Sequence, residues 1–168
     1  MNRVDSRARA QVIRCLAEGN SVRSTVRITG IAKNTIVKLL LEAAEVCREY
    51  QDSAIRNLTC KRLQLDEIWS FVGSTEKNTS AEKNAQGNSD VWTWTAIDAD
   101  SKLIVSWLVG NRDSVCATEF VKDVASRLKH RVQLTTDGHR PYIVAVEAAF
   151  GADVDYAVLE KIYGKPEG

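Results

Sequence analysis

The stretch KRLQLDEIWSFVG, residues 61–73, alternates apolar and polar side chains as a β-strand does, yet it carries two adjacent acids, Asp66 and Glu67. Successive side chains of a strand point to opposite faces, so Glu67 shares a face with Leu65 and Trp69, and Asp66 lies on the other. An ionised carboxylate in a sheet core costs several kcal/mol unless a cation meets it. Whichever acid is buried therefore needs a partner.

The segments that follow this strand predict four more strands and two helices. VWTWTAID and KLIVSWLVG are joined by a short polar turn, so they extend the first strand into a three-stranded meander. Asp113 or Ser114 caps a helix, VQLTT is a short strand before Asp137, and Pro141 and Gly151 bracket a second helix. VDYAVLEKIY favours a fifth strand, with a helix as the alternative. The polar stretch STEKNTSAEKNAQGNSD, between the first two strands, predicts a long mobile loop.

The order β-β-β-α-β-α-β predicts an α/β fold with a mixed sheet, and it is the RNase H-like order without its last helix. In such a sheet the first strand is central and the fourth lies beside it, so Asp66 and Asp137 would meet at one edge. Two carboxylates that close raise each other's pKa unless a divalent cation bridges them, and hard oxygen ligands suit Mg²⁺. We expect Asp66 to point toward Asp137, with a metal ion relieving its burial. For Glu67 we expect only a local hydrogen bond or a position at a solvent-exposed edge of the sheet. Alternatively, Asp137-Gly138 is only a turn and Asp66 a structural acid on a wet face.

The charge is unevenly distributed along the chain. Residues 1–62 carry twelve lysines and arginines against six acids, a net charge of +6, whereas residues 63–168 carry eleven against sixteen, a net charge of −5. A basic front indicates a polyanionic partner. The sequence has neither a long apolar run nor a signal-peptide pattern, and its four cysteines show no C-x-x-C spacing. We therefore expect a cytoplasmic protein with reduced thiols and no membrane partner.

The basic front predicts three short helices, with a tight glycine turn before the last. This is the helix-turn-helix pattern, whose last helix enters the DNA major groove by its N-terminal end. The expected DNA-binding residues are Arg23 and Arg27 on the second helix and Lys33, Asn34, Thr35 and Lys38 on the third. The apolar stripe expected on the third helix is Ile36, Leu39, Leu40, Ala43 and Cys47. A small helical bundle with a solvated basic face is the alternative. We expect this all-α module to span residues 1–60 and the α/β domain to span residues 61–168.

The stretches LDEIWSF, WTWTAIDADSKLIVSWLVG and QLTTDGHRPY, preceded by NSVRSTVRITGIAKNTIVKLL, resemble bacterial insertion-sequence transposases of the insertion sequence one family. The resemblance covers nearly the whole chain. It implies a helix-turn-helix module followed by an RNase H-like DDE domain in which Asp66 is the first catalytic acid and Asp137 the second. It also implies cleavage of double-stranded DNA at the element's terminal repeats, followed by attack of a 3′-hydroxyl on target DNA. The intact enzyme would use two Mg²⁺ (or Mn²⁺) ions and be a homo-oligomer when active.

One part of the family's pattern has no match in this sequence. The third acid of the family is a glutamate on a helix after the fifth strand, and none of Glu147, Glu160 and Glu167 matches its motif. We therefore expect an incomplete or inactive copy with little or no strand transfer. The alternative is a non-catalytic repressor that occupies the element's ends. A third hypothesis, a regulator that senses a small molecule, finds no glycine-rich phosphate loop in its favour.

Two further groups of residues have open roles. His139 and Arg140 are candidate contacts to substrate phosphate, or alternatively mark a helix start at the surface. Trp92, Trp94 and Trp107 would stack on flipped bases or pack in the core of the meander, and core packing is favoured.

Overall fold

The computed structural model describes residues 4–160 and divides the chain into two compact units, with the division between Ala54 and Ile55. This division precedes the expected boundary at residue 60 because the intervening residues belong to the second unit. Ile55 and Leu58 pack against its core, and the backbone N–H of Leu58 donates to the carbonyl of Arg127 at 2.9 Å.

The first unit consists of three helices, as the sequence pattern predicts. They are α1 (Ser6–Ala17), α2 (Val22–Thr29) and α3 (Lys33–Ala54). Ser21 caps α2 by accepting a hydrogen bond from the backbone N–H of Ser24, and Gly30 ends α2 in the left-handed conformation at φ 71°. Val12, Ile36 and Leu39 form the buried core.

The apolar stripe predicted on α3 is only partly buried. Ile36 and Leu39 lie in the core, whereas Leu40 is 38% exposed and Cys47 is exposed. The core of this unit is built around the first turns of α3, because α1 and α2 have only 12 and 8 residues. Amphipathic spacing alone therefore overstates how much of α3 is covered.

The second unit is a five-stranded mixed sheet with two long helices. Its elements are β1 (Arg62–Val72), α4 (Ala81–Ala85), β2 (Ser89–Asp98), β3 (Ile104–Gly110), α5 (Ser114–Arg127), β4 (Val132–Asp137), α6 (Pro141–Phe150) and β5 (Val154–Leu159). The strand order is β3-β2-β1-β4-β5. β1 pairs antiparallel with β2 and parallel with β4, β2 pairs antiparallel with β3, and β4 pairs parallel with β5. The predicted central position of the first strand, with the fourth beside it, is confirmed. The fifth predicted segment is a strand, not a helix, over Val154–Leu159, and its residues 161–163 lie outside the described residues, as does Glu167.

Helices α5 and α6 supply the apolar cover of the sheet core. Phe120 and Val124 of α5, together with Tyr142 of α6, are buried against Leu65 and Trp94 of the sheet. Asp113 caps α5 by accepting a hydrogen bond from the N–H of Cys116 at 2.9 Å, as its position before the helix predicts.

The stretch predicted to be a long mobile loop, residues 74–90, contains regular structure. It holds a 3₁₀ turn (Glu76–Asn78), the short helix α4 and the first residues of β2. The Thr79 hydroxyl donates to the carbonyl of Thr75 at 2.7 Å, and Ser80 caps α4 by accepting from the N–H of Lys83. Local side-chain hydrogen bonds stabilise this segment. The sequence prediction missed its structure because it depended on apolar periodicity, which the segment lacks.

Within residues 4–160, no helix combines the length and the apolar character needed to cross a membrane.

Candidate metal centre

The pairing of β1 with β4 brings Asp66 level with Asp137. The parallel register runs from Arg62 opposite Gln133 to Gln64 opposite Thr135. Two residues further along both strands, the same register reaches Asp66 and Asp137. β4 ends at Asp137 while β1 continues to Val72, so the two acids lie where the sheet opens.

Three carboxylates converge at this point, and we call Asp66, Glu67 and Asp137 the acidic cluster. Each offers one carboxylate oxygen, and these three atoms all lie within 4.8 Å of one another. Backbone N–H groups orient two of the carboxylates. Asp66 Oδ1 accepts from the N–H of Glu67 at 2.8 Å, and Asp137 Oδ1 accepts from the N–H of His139 at 2.9 Å.

The buried acid of the pair is Glu67, so the expected assignment of burial to Asp66 was wrong. Asp66 is exposed on the outer face of β1, whereas the Glu67 side chain is only 1% exposed. Glu67 lies neither at a solvent-exposed edge of the sheet nor in a purely local hydrogen bond, so both expectations for it were wrong. Its partner is Arg112, a residue that the sequence analysis did not identify.

Arg112 lies between β3 and the cap of α5 and reaches two acids of the cluster. Its Nε donates to Glu67 Oε2 at 2.9 Å, and its Nη2 donates to Asp137 Oδ2 at 3.4 Å. The guanidinium carbon lies 5.0 Å from the ring centroid of Trp92, a cation–π distance. The one sequence signal that could have found it is a basic residue, in GNRDS, in a connection that returns from the sheet edge to the next helix.

The charge of the cluster is not balanced by this one cation. Three carboxylates and one guanidinium leave a local net charge of −2. The neighbouring His139 does not compensate, because burial and the positive charge of Arg112 lower the pKa of its imidazole. Carboxylate oxygens with excess negative charge are suitable ligands for Mg²⁺ and Mn²⁺.

Buried polar atoms beside the cluster lack protein partners. In the part of the chain that the structure describes, Glu67 Oε1, His139 Nε2 and Tyr142 Oη are buried without a hydrogen-bonding partner. Burial, together with the Glu67 carboxylate facing the hydroxyl, raises the pKa of the Tyr142 phenol. The fit to a divalent metal ion therefore rests on the three carboxylates of the cluster and their net charge of −2.

The tryptophans and the residues after Asp137 occupy defined places around the cluster. Trp94 is fully buried and packs against Phe120, with ring centroids 5.9 Å apart, as core packing predicts. The His139 ring lies 5.8 Å from Trp94, and Arg140 is exposed at the N-cap position of α6. Trp107 is 45% exposed on β3, so the prediction of core packing was wrong for this residue. Contact of His139 or Arg140 with phosphate stays a prediction.

The basic residues expected to contact DNA lie together on the first unit. Those with exposed side chains are Arg23, Arg27, Lys33, Asn34 and Lys38, while Thr35 is half-buried. Lys38 is the member of this set with an acidic neighbour, Glu42, at 3.9 Å. The side chains at the start of α3 therefore face solvent, as they must if the N-terminal end of this helix enters the DNA major groove.

A comparison of the sequence with protein-family models finds no match, and a comparison with curated proteins finds none either.

Proposed function

We propose that this chain is a DDE-type DNA transposase that binds divalent metal ions through Asp66 and Asp137. The observation that carries the proposal is the acidic cluster itself, in which carboxylates from two parallel strands lie within 4.8 Å of one another. Three carboxylates with a net local charge of −2 repel one another, and a bound cation would offset this repulsion.

Two further observations support the same proposal. The strand order β3-β2-β1-β4-β5, with β1 parallel to β4, agrees with the RNase H-like sheet that the resemblance implies. The stretches that carry the resemblance, LDEIWSF and QLTTDGHRPY, contain the two acids. An enzyme of this kind would act on DNA in the bacterial cytoplasm.

The chain's own groups would have distinct roles in this chemistry. Asp66 and Asp137 would hold the metal ions, which when bound activate a nucleophile and stabilise the leaving oxygen of a phosphodiester. The backbone N–H of His139 keeps the Asp137 carboxylate turned toward the cluster. Arg112 gives the buried carboxylate of Glu67 a cationic partner at 2.9 Å.

The first unit would supply DNA binding. Lys33 and Asn34 lie in the first turn of α3, the part of a helix-turn-helix that enters the major groove. Arg23 and Arg27 on α2 would contact phosphates, which position the protein without reading sequence.

The decisive experiment is strand transfer with DNA taken from either side of the coding sequence, where an insertion element carries its ends. Duplexes that end in a free 3′-hydroxyl are incubated with a supercoiled target plasmid, the full chain and Mg²⁺. Because none of Glu147, Glu160 and Glu167 matches the family's third acid, the proposal predicts little or no joined product. Any product should require Mg²⁺ and be abolished by Asp137→Asn, with the exposed acid variant Asp153→Asn as the matched control. Equal amounts of product from wild type and Asp137→Asn would contradict the proposal, as would Mn²⁺ binding that both Asp66→Asn and Asp137→Asn leave unchanged.

The second candidate function is a non-catalytic DNA-binding repressor that occupies element ends. It is favoured by the exposed basic side chains of the first unit, which need no metal chemistry to bind DNA. In that case the same duplexes bind specifically, Asp66→Asn leaves the affinity unchanged, and no joined product forms.

A further inference from the structure

We propose that Arg112 is a built-in counter-cation of the acidic cluster, which competes with the divalent metal ion for Asp137 while it stays bound to Glu67. This inference rests on the proposed metal site at Asp66 and Asp137. It assigns to Arg112 a positioning role in which one guanidinium end is fixed and the other is exchangeable.

The two ends of the guanidinium are held unequally. The hydrogen bond to Glu67, at 2.9 Å, has the length of a normal charge-assisted one, whereas the hydrogen bond to Asp137, at 3.4 Å, is long. Glu67 is 1% exposed and Asp137 is 34% exposed. Separating Arg112 from Glu67 would leave a buried charge without a partner. Separating Arg112 from Asp137 would leave a carboxylate that water already reaches. The Asp137 end therefore exchanges first.

The Asp137 carboxylate is shared between two donors. Its Oδ1 accepts from the N–H of His139, and its Oδ2 accepts from Nη2 of Arg112. A divalent ion held by Asp66 and Asp137 would share the Asp137 carboxylate with the positive guanidinium. Because like charges repel, binding of the ion would weaken the contact between Arg112 and Asp137.

The remaining interactions keep Arg112 close after it has released Asp137. Glu67 holds Nε, and the Trp92 ring lies 5.0 Å from the guanidinium carbon. The side chain would thus withdraw from Asp137 without leaving the site. Metal binding would be weaker than the two aspartates alone would give, because displacing Arg112 has a free-energy cost.

The test compares Mn²⁺ binding to full-length variants by isothermal titration calorimetry. The key variant is Glu67→Gln/Arg112→Gln, which leaves the two aspartates and the same local net charge of −2 but removes the competitor without stranding a buried charge. We expect it to bind Mn²⁺ about threefold to tenfold more tightly than wild type, the size of a partly exposed ion pair. Arg131→Gln, which removes a comparable guanidinium paired with Asp155, is the matched control and leaves the affinity unchanged.

Equal or weaker Mn²⁺ binding by the double variant would overturn the inference, and weaker binding would identify Glu67 as a metal ligand instead. Wild type provides a second measurement that needs no variant to fold. Its Arg112 side-chain ¹⁵N signals are followed during Mg²⁺ titration, and a change at Nη with Nε retained is expected. Unmoved signals at saturating Mg²⁺ would also overturn it.

Failure of the inference is distinguishable from failure of the proposed function. If wild type binds Mn²⁺ and both Asp66→Asn and Asp137→Asn abolish the binding, the metal site stands whatever the double variant does. If those two variants bind Mn²⁺ as wild type does, the proposed metal site at Asp66 and Asp137 is refuted, and so is competition between Arg112 and the metal ion at Asp137.

Discussion

Arg112 brings a positive charge to the buried carboxylate of Glu67. The pair is 2.9 Å apart, and the glutamate side chain is almost fully buried. Removing one partner of a buried ion pair leaves an uncompensated charge and costs more than the intact pair contributes. Folding stability and the proposed metal binding would therefore both depend on Arg112.

The first prediction concerns this pair in metal-free buffer. Arg112→Gln should lower the free energy of unfolding by about 2–3 kcal/mol, toward the lower end of the range for broken buried pairs because Arg112 is one-third exposed. Adding Glu67→Gln should recover part of the loss, since no buried charge is then left. Urea denaturation at pH 7 measures both, and Arg48→Gln, which removes the exposed pair with Glu45, is a control that should change the stability little. A double variant less stable than Arg112→Gln would contradict this explanation of the pair.

At the scale of elements, the turn between β2 and β3 is held by Asp98. Its carboxylate accepts hydrogen bonds from the Ser101 hydroxyl at 2.5 Å and from the Ser101 N–H at 3.2 Å. The hydroxyl bond is the main reason that the pKa of Asp98 lies below its ordinary value. Because the folded pKa is lower than the unfolded one, this contribution to stability is present above the unfolded pKa and is lost as the pH falls through the folded pKa.

The second prediction follows from that sign. Asp98→Asn should destabilise the protein by about 1 kcal/mol at pH 7, because the charged acceptor is lost. The difference from wild type should shrink as the pH falls from about 3.8, the ordinary pKa, through the lower folded pKa, because the unfolded state of wild type takes up a proton first. Urea midpoints at pH 7 and pH 3 measure it, with Asp153→Asn as an exposed control. A difference that is the same at both pH values would show that the carboxylate charge is not what stabilises the turn.

The connection from β1 to β2 depends on a glycine for two reasons. Gly73 has φ 71°, and a Cβ added there would overlap the side chain of Asn88. Gly87 has φ 84° with open space around it, so it isolates the conformational cost. The two positions form a matched pair within one connection.

The third prediction uses this pair. Gly87→Ala should cost about 1 kcal/mol for the left-handed conformation, and Gly73→Ala should cost somewhat more because the Asn88 side chain must also move. Gly73→Ala/Asn88→Ala should return toward the Gly87→Ala value. Urea denaturation of the three variants tests this, and equal losses for Gly73→Ala and Gly87→Ala would rule out the overlap.

The approach of Asp66 and Asp137 could be predicted from sequence because it depends only on strand order and on the place of each acid within its strand. The depth of Glu67 could not. Alternation assigns Glu67 to the face of Leu65, but it does not show where α6 and its Tyr142 cover that face. Arg112 was missed because it comes 45 residues after Glu67, and no local pattern connects residues so far apart.

At the scale of the whole molecule, the two units carry opposite charge and would divide the work. The basic first unit would bind DNA and the acidic second unit would hold metal ions, so the two functions should be separable by substitution. Salt dependence distinguishes phosphate binding from other binding, since the slope of log affinity against log salt falls by about 0.9 for each phosphate that the protein no longer neutralises.

The fourth prediction tests this division on the duplexes that flank the coding sequence. Arg23→Gln/Arg27→Gln should weaken binding and reduce the salt slope by about 1.8, the value for two phosphates, measured by fluorescence anisotropy at several salt concentrations. Lys122→Gln/Lys129→Gln, which removes two exposed lysines of the second unit, is the matched control and should bind as wild type does. Equal weakening by both pairs would mean that binding follows net charge rather than the first unit.

Mn²⁺ binding to the full chain, followed by electron paramagnetic resonance of the free ion, decides whether the acidic cluster is a metal centre. We predict saturable binding by wild type that Asp66→Asn and Asp137→Asn each abolish and that Asp153→Asn leaves intact. Binding that persists unchanged in Asp66→Asn and Asp137→Asn would contradict this assignment, because the ion would then be held elsewhere.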